Sequence, residues 1–138
     1  MDPVIWQKVP TLFERASAQG INVSQISAKR FEGTGFTRAA LRGAQYVGAN
    51  QISDITNGAA AALSRDKSFT YVYINHLDVA GHEAGVGSEK WFAAFSVVSD
   101  LITQLNEKVP KGTRIWVSSH HGMVNVGEDR KSTRLNSS

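Results

Sequence analysis

The chain has 138 residues, 41% of them hydrophobic and 20% charged, with 12 Gly, 3 Pro and no Cys: one ordinary domain at most, long enough to bury a core. The absence of cysteine excludes disulfide scaffolds and thiolate metal sites, so a metal would have to sit on carboxylate and imidazole. The formal charge of +3 comes from Arg130, Lys131 and Arg134 near the end; without them 12 basic residues face 12 acidic ones, and a neutral body argues against a nucleic-acid partner.

In chain order, the opening Met-Asp-Pro-Val-Ile-Trp lacks the basic-then-apolar layout of a signal peptide. No stretch approaches ~18 apolar residues without a charge, so no membrane span is expected. Pro10 to Gln19 reads as a short helix, with Thr11 at its start and Gly20 stopping it. Residues 21–26 alternate apolar and polar as a strand does. Gly33-Thr34-Gly35 lacks the length and the Lys of a phosphate loop and reads as a turn. It leads to a second helix around Arg38 to Ala44. A third helix begins near Asn50, with Ile52, Ile55, Ala59, Ala62 and Leu63 on one side. Phe69 to Ile74, aromatic and β-branched, is the best strand. The longest helix runs from Ser88, a suitable N-cap, to about Lys108, with Trp91, Phe95, Val98, Ile102 and Leu105 recurring at helical spacing. Thr113 to Ser118 is the expected last strand. Strands separated by helices argue for an α/β fold with a parallel sheet covered on both faces.

Ligands of such folds gather beyond the C-terminal ends of strands. All four histidines lie in two segments of that kind, residues 75–85 and residues 119–123. Asp78 and His82 are four apart, so one helical turn puts a carboxylate and an imidazole on the same face, two sides of a metal site. The plainer reading is a surface pair that caps or hydrogen-bonds a helix. His120 and His121 are adjacent and in extended chain point to opposite sides; serving metal together requires separate sites or a bend. The plainer reading is one packed histidine and one solvated one. His76 reads as a supporting or surface residue. Gly85-Val86-Gly87-Ser88 could offer backbone N–H groups to an anion, although a turn plus N-cap suffices.

Residues 71–91, Tyr-Val-Tyr-Ile-Asn-His-Leu-Asp78-Val-Ala-Gly-His82-Glu-Ala-Gly85 and then Gly87-Ser88-Glu-Lys-Trp91, resemble the type I phosphodiesterase/nucleotide pyrophosphatase branch of the alkaline phosphatase superfamily. Val117-Ser-Ser-His120-His121-Gly122-Met123-Val124 is similar to that family's second metal segment, usually Asp-His-Gly-Met. The stretches beginning at Pro10 and Thr37 are similar to bacterial members, so the resemblance spans about residues 3 to 128.

The resemblance implies an alkaline-phosphatase-like, parallel-rich sheet with helices on both faces, incomplete here. Residues 1–128 would be a central-to-C-terminal part of that domain, and residues 129–138 a disordered tail or translated adapter read-through. It implies a hydrolase of phosphate esters working with two divalent metal ions, zinc by preference, on a small phosphoester or nucleotide-like substrate. Asp78 and His82 map to ligands of one ion, His121 to a ligand of the other, and His120 conditionally to the same ion. Position 120 is His where the family has Asp, which removes one negative charge. The family's early Asp, its Thr or Ser nucleophile and a later His have no counterpart here, so no catalytic nucleophile is assigned and the chain alone is expected to be inactive. A superfamily phosphomutase and a non-catalytic α/β metal- or ligand-binding module are the alternatives. Oligomeric state and localisation, bacterial cytoplasm or export, stay open.

Overall fold

The structure, a computed structural model, describes residues 2–126; the expected tail, 129–138, lies outside the described residues. They form α1 (Pro3–Trp6), α2 (Leu12–Ala18), β1 (Asn22–Ser27), a 3-10 turn (Lys29–Phe31), α3 (Gly35–Ala40), β2 (Gln45–Gly48), α4 (Ile52–Leu63), β3 (Ser68–Val72), α5 (His76–Ala84) and α6 (Glu89–Lys108). The described chain divides into two compact units: residues 2–74 with Ser99–Ile115, and Asn75–Val98 with residues 116–126.

The first unit holds a three-stranded parallel sheet in the order β2-β1-β3. Ser24 lies opposite Gln45 on one side and Ile26 opposite Val72 on the other. Parallel neighbours need helical crossovers, and α3 and α4 supply them. Alternation along β3 sorts its side chains between the two faces. Val72 joins Ile26, Ala49, Ile55, Ala59 and Leu101 in the core. Phe69 and Tyr71 instead meet the Phe13 ring of α2, at 6.0 and 5.8 Å. Helices therefore cover both faces, as expected for an α/β fold. Ile26 is fully buried, worth roughly 1.5–3 kcal/mol of apolar burial.

Local chemistry accounts for the element ends. Thr11 and Glu14 form a reciprocal capping box at the start of α2, Thr11 Oγ1 accepting from the Glu14 N–H at 3.0 Å and Glu14 Oε2 accepting from the Thr11 N–H at 2.8 Å. Glu14 Oε1 also accepts from Arg42 Nε at 2.9 Å, and Arg42 donates to the carbonyls of Val9 and Ala39. At the far end of α6, Lys108 Nζ donates to Thr56 Oγ1 and Asn57 Oδ1, both at 3.1 Å.

Four sequence expectations change. The second helix begins at Gly35, not near Arg38, because Thr34 Oγ1 caps it by accepting from the Thr37 N–H; Gly33-Thr34-Gly35 is thus a turn and cap. Two elements were not foreseen: α1, capped by Asp2 with Pro3 in its first turn, and β2. On α6, Leu101 and Leu105 reach the core, whereas Phe92 and Phe95 stay more than half exposed. Residues 113–118 are no strand. Among the described residues no ladder reaches them, and Trp116 is 87% exposed; a β-branched and aromatic run becomes a strand only when a neighbour takes its hydrogen bonds.

Candidate metal centre

The second unit carries every residue singled out for metal chemistry. Helix α5 starts within four residues of the end of β3, with Asp78 in its first turn, where a carboxylate complements the helix dipole. It ends at Gly85, whose φ of +86° favours glycine, with the Gly85 N–H donating to the Gly81 carbonyl at 2.9 Å. One turn separates Asp78 from His82, and His82 Nε2 lies 3.4 Å from Asp78 Oδ1.

His121 arrives from a segment 43 positions away in sequence, and its Nε2 lies 3.8 Å from the same Asp78 Oδ1. Its Nδ1 lies 2.9 Å from the Gly122 carbonyl oxygen. A carbonyl oxygen only accepts, so Nδ1 donates there and Nε2 is the ring nitrogen turned toward the carboxylate. The structure therefore brings Asp78, His82 and His121 together, all substantially exposed. His120 is exposed at a backbone bend just before His121, and His76 is exposed at the first position of α5.

The donor set, one carboxylate oxygen and two imidazole nitrogens, suits a borderline divalent cation. Two ligands of a tetrahedral zinc, each at ~2.1 Å, lie roughly 3.4 Å apart, close to the separation of Asp78 and His82. The set fits in donor chemistry, and the Asp78–His82 pair fits in spacing. As the side chains stand, though, no group of three or more His, Asp or Glu among the described residues is arranged to hold a metal ion.

Three further contacts frame the cluster. A Cβ at Gly81 would lie 2.6 Å from Met123 Sδ and 2.8 Å from its Cε, so Met123 seats on the bare backbone of α5. Asn125 Oδ1 accepts from the Val86 N–H at 2.7 Å, and its Nδ2 donates to the Val86 carbonyl at 2.8 Å. Ser88 Oγ accepts from the Trp91 N–H at 3.2 Å and donates to the Gly85 carbonyl at 2.8 Å, the expected turn and cap. Trp91 stacks on Phe95 at 5.6 Å, and Lys90 pairs with Glu83. Sequence reading gave Met123 only as part of the resembling segment and missed Asn125, whose local signal is its period-two spacing after His121 and Met123.

The family model for type I phosphodiesterase / nucleotide pyrophosphatase matches residues 3–137. A search of curated proteins finds no match to the chain.

Proposed function

The chain belongs to the type I phosphodiesterase/nucleotide pyrophosphatase family, and from that premise we propose that Asp78, His82 and His121 are its contribution to a phosphoester- or phosphoanhydride-cleaving centre. Membership supports a hydrolase of phosphodiesterase or pyrophosphatase type; metal dependence and residue roles are our reading. The observation that carries it is the approach of two imidazole Nε2 atoms to one carboxylate oxygen, at 3.4 and 3.8 Å. Carboxylate oxygen and imidazole nitrogen are the donor types that divalent cations such as zinc take.

Asp78 and His82 would hold one divalent ion, and His121, with His120 in support, the neighbouring one. When bound, such ions polarise a phosphoryl oxygen and neutralise charge on the attacking and leaving oxygens. The protein's own part is to fix these donors: α5 holds Asp78 and His82 one turn apart, and the Gly122 carbonyl holds the His121 tautomer. Water is consumed, and a small phosphodiester yields a phosphomonoester and an alcohol or phenol. We take the Thr or Ser nucleophile to lie outside residues 2–126. A second reading, a metal-binding module without turnover, draws support from His120, which lacks the negative charge that Asp would bring to the second ion.

Zinc uptake by the 138-residue chain, measured against a chromophoric chelator, tests the proposal. Stoichiometric uptake that weakens at least roughly tenfold in Asp78→Ala, with the fold intact by circular dichroism, is expected. Failure of the wild-type chain to take up zinc, manganese or iron would overturn it.

A further inference from the structure

We propose that Asn125 is a positioning residue, a latch that holds the segment bearing His121 in register along α5 so that His121 stays over Asp78. The proposal rests on the metal-centre reading for its purpose, though not for its geometry. Three alternate residues of the segment after His120 meet α5 and the turn that follows it. His121 approaches Asp78, Met123 seats on Gly81, and Asn125 pairs with Val86. The partner positions are three residues apart from Asp78 to Gly81 and five from Gly81 to Val86, the last step leaving α5 through Gly85. Contacts at every second residue put His121, Met123 and Asn125 on the same side of their segment.

The latch is the only two-point contact of the three. The amide of Asn125 satisfies both the N–H and the C=O of Val86, as a neighbouring strand's peptide groups do, so it fixes direction as well as distance. Val86 can offer both groups because it sits between Gly85 and Gly87, at φ of +86° and +84°, outside either helix. Glycine at 85 also makes room, since a Cβ there would lie 3.1 Å from Asn125 Oδ1. Met123 adds packing without direction, because a thioether is flexible and unspecific. Removing the amide leaves the segment free to slide, and His121 goes with it.

The test uses the full chain with methionine carrying a 13C-labelled methyl group. Only Met1 and Met123 report, so the spectrum is simple. In metal-free wild type, an NOE from the Met123 methyl to the Gly81 α-protons is expected. It should vanish in Asn125→Ala and weaken in Asn125→Asp, which keeps the acceptor for the Val86 N–H and loses the donor to its carbonyl. Unchanged amide shifts in β1 and β3 verify the fold. Zinc affinity should fall roughly tenfold in Asn125→Ala, yet no further when His121→Ala is already present, since the latch acts through His121. An NOE that persists in Asn125→Ala overturns the latch, as does an equal zinc loss with and without His121. Absence of zinc uptake by wild type sinks the metal reading alone, and the NOE comparison still decides the latch.

Discussion

Gly81→Ala separates the stability of this region from its chemistry. The new Cβ would stand 2.6 Å from Met123 Sδ, so the sulfur must retreat by about 0.8 Å to reach ordinary contact. The clash is with the far end of a flexible side chain, and the helix gains from the exchange: Ala is better than Gly inside a helix by about 0.8–1 kcal/mol. Met123 is only half-buried, so displacing it forfeits a fraction of a core methionine's contribution, about 1 kcal/mol. The two effects nearly cancel, and urea unfolding should place the variant within about 1 kcal/mol of wild type. Zinc competition should not cancel. His121 is two residues from Met123, and a shift of its segment should weaken affinity roughly tenfold. Truncating the clashing side chain in Gly81→Ala/Met123→Ala should restore part of that loss, with a coupling of about 0.5–1 kcal/mol. A stability loss above about 2 kcal/mol, or zinc binding indifferent to both changes, would refute the packing argument.

Ile26→Ala, at the fully buried centre of the sheet, should cost about 2–5 kcal/mol in urea unfolding; a smaller cost would mean that the site collapses on α4. The Thr11 N–H and the Arg42 guanidinium hold the Glu14 carboxyl below the usual carboxylate range. Its contribution should therefore be complete above about pH 4.3 and fade as pH falls through the lower folded value. Glu14→Gln should flatten the acid limb of a Tm-against-pH profile, and an unaltered limb would remove Glu14 from acid stability. His120→Asp adds an anion beside His121 and should tighten zinc in the chelator competition; unchanged affinity would take position 120 out of the centre.

The parts of the fold that follow from local rules were legible. Thr11, Gly20 and Ser88 announce helix ends, and the aromatic alternation of Phe69, Tyr71 and Tyr73 announces β3. Asp78 and His82 share a helix face because four residues make one turn. What escaped depends on partners distant in the chain. Gln45–Gly48 is too short and too polar to declare itself, and becomes a strand because β1 offers it an edge. Residues 113–118 look more like a strand than β2 does and are none, for want of a neighbour among the described residues. On α6 the apolar stripe is real, but its spacing does not reveal that burial concentrates on Leu101. The meeting of His121 with Asp78 spans 43 positions, and no periodicity reports a contact at that range; the two histidine segments after expected strands and the family resemblance pointed there.

The order β2-β1-β3 places the first of the three described strands between the other two. As the chain leaves the ribosome, β1 appears before either of the strands that flank it here, and β3 is finished about 45 residues behind it. At 5–20 residues per second that interval lasts roughly 2–9 s. During it the polar run Ser24, Gln25 and Ser27, buried in the finished fold, is the exposed template for any passing strand. Chaperone dependence in expression should therefore follow substitutions that slow synthesis between β1 and β3.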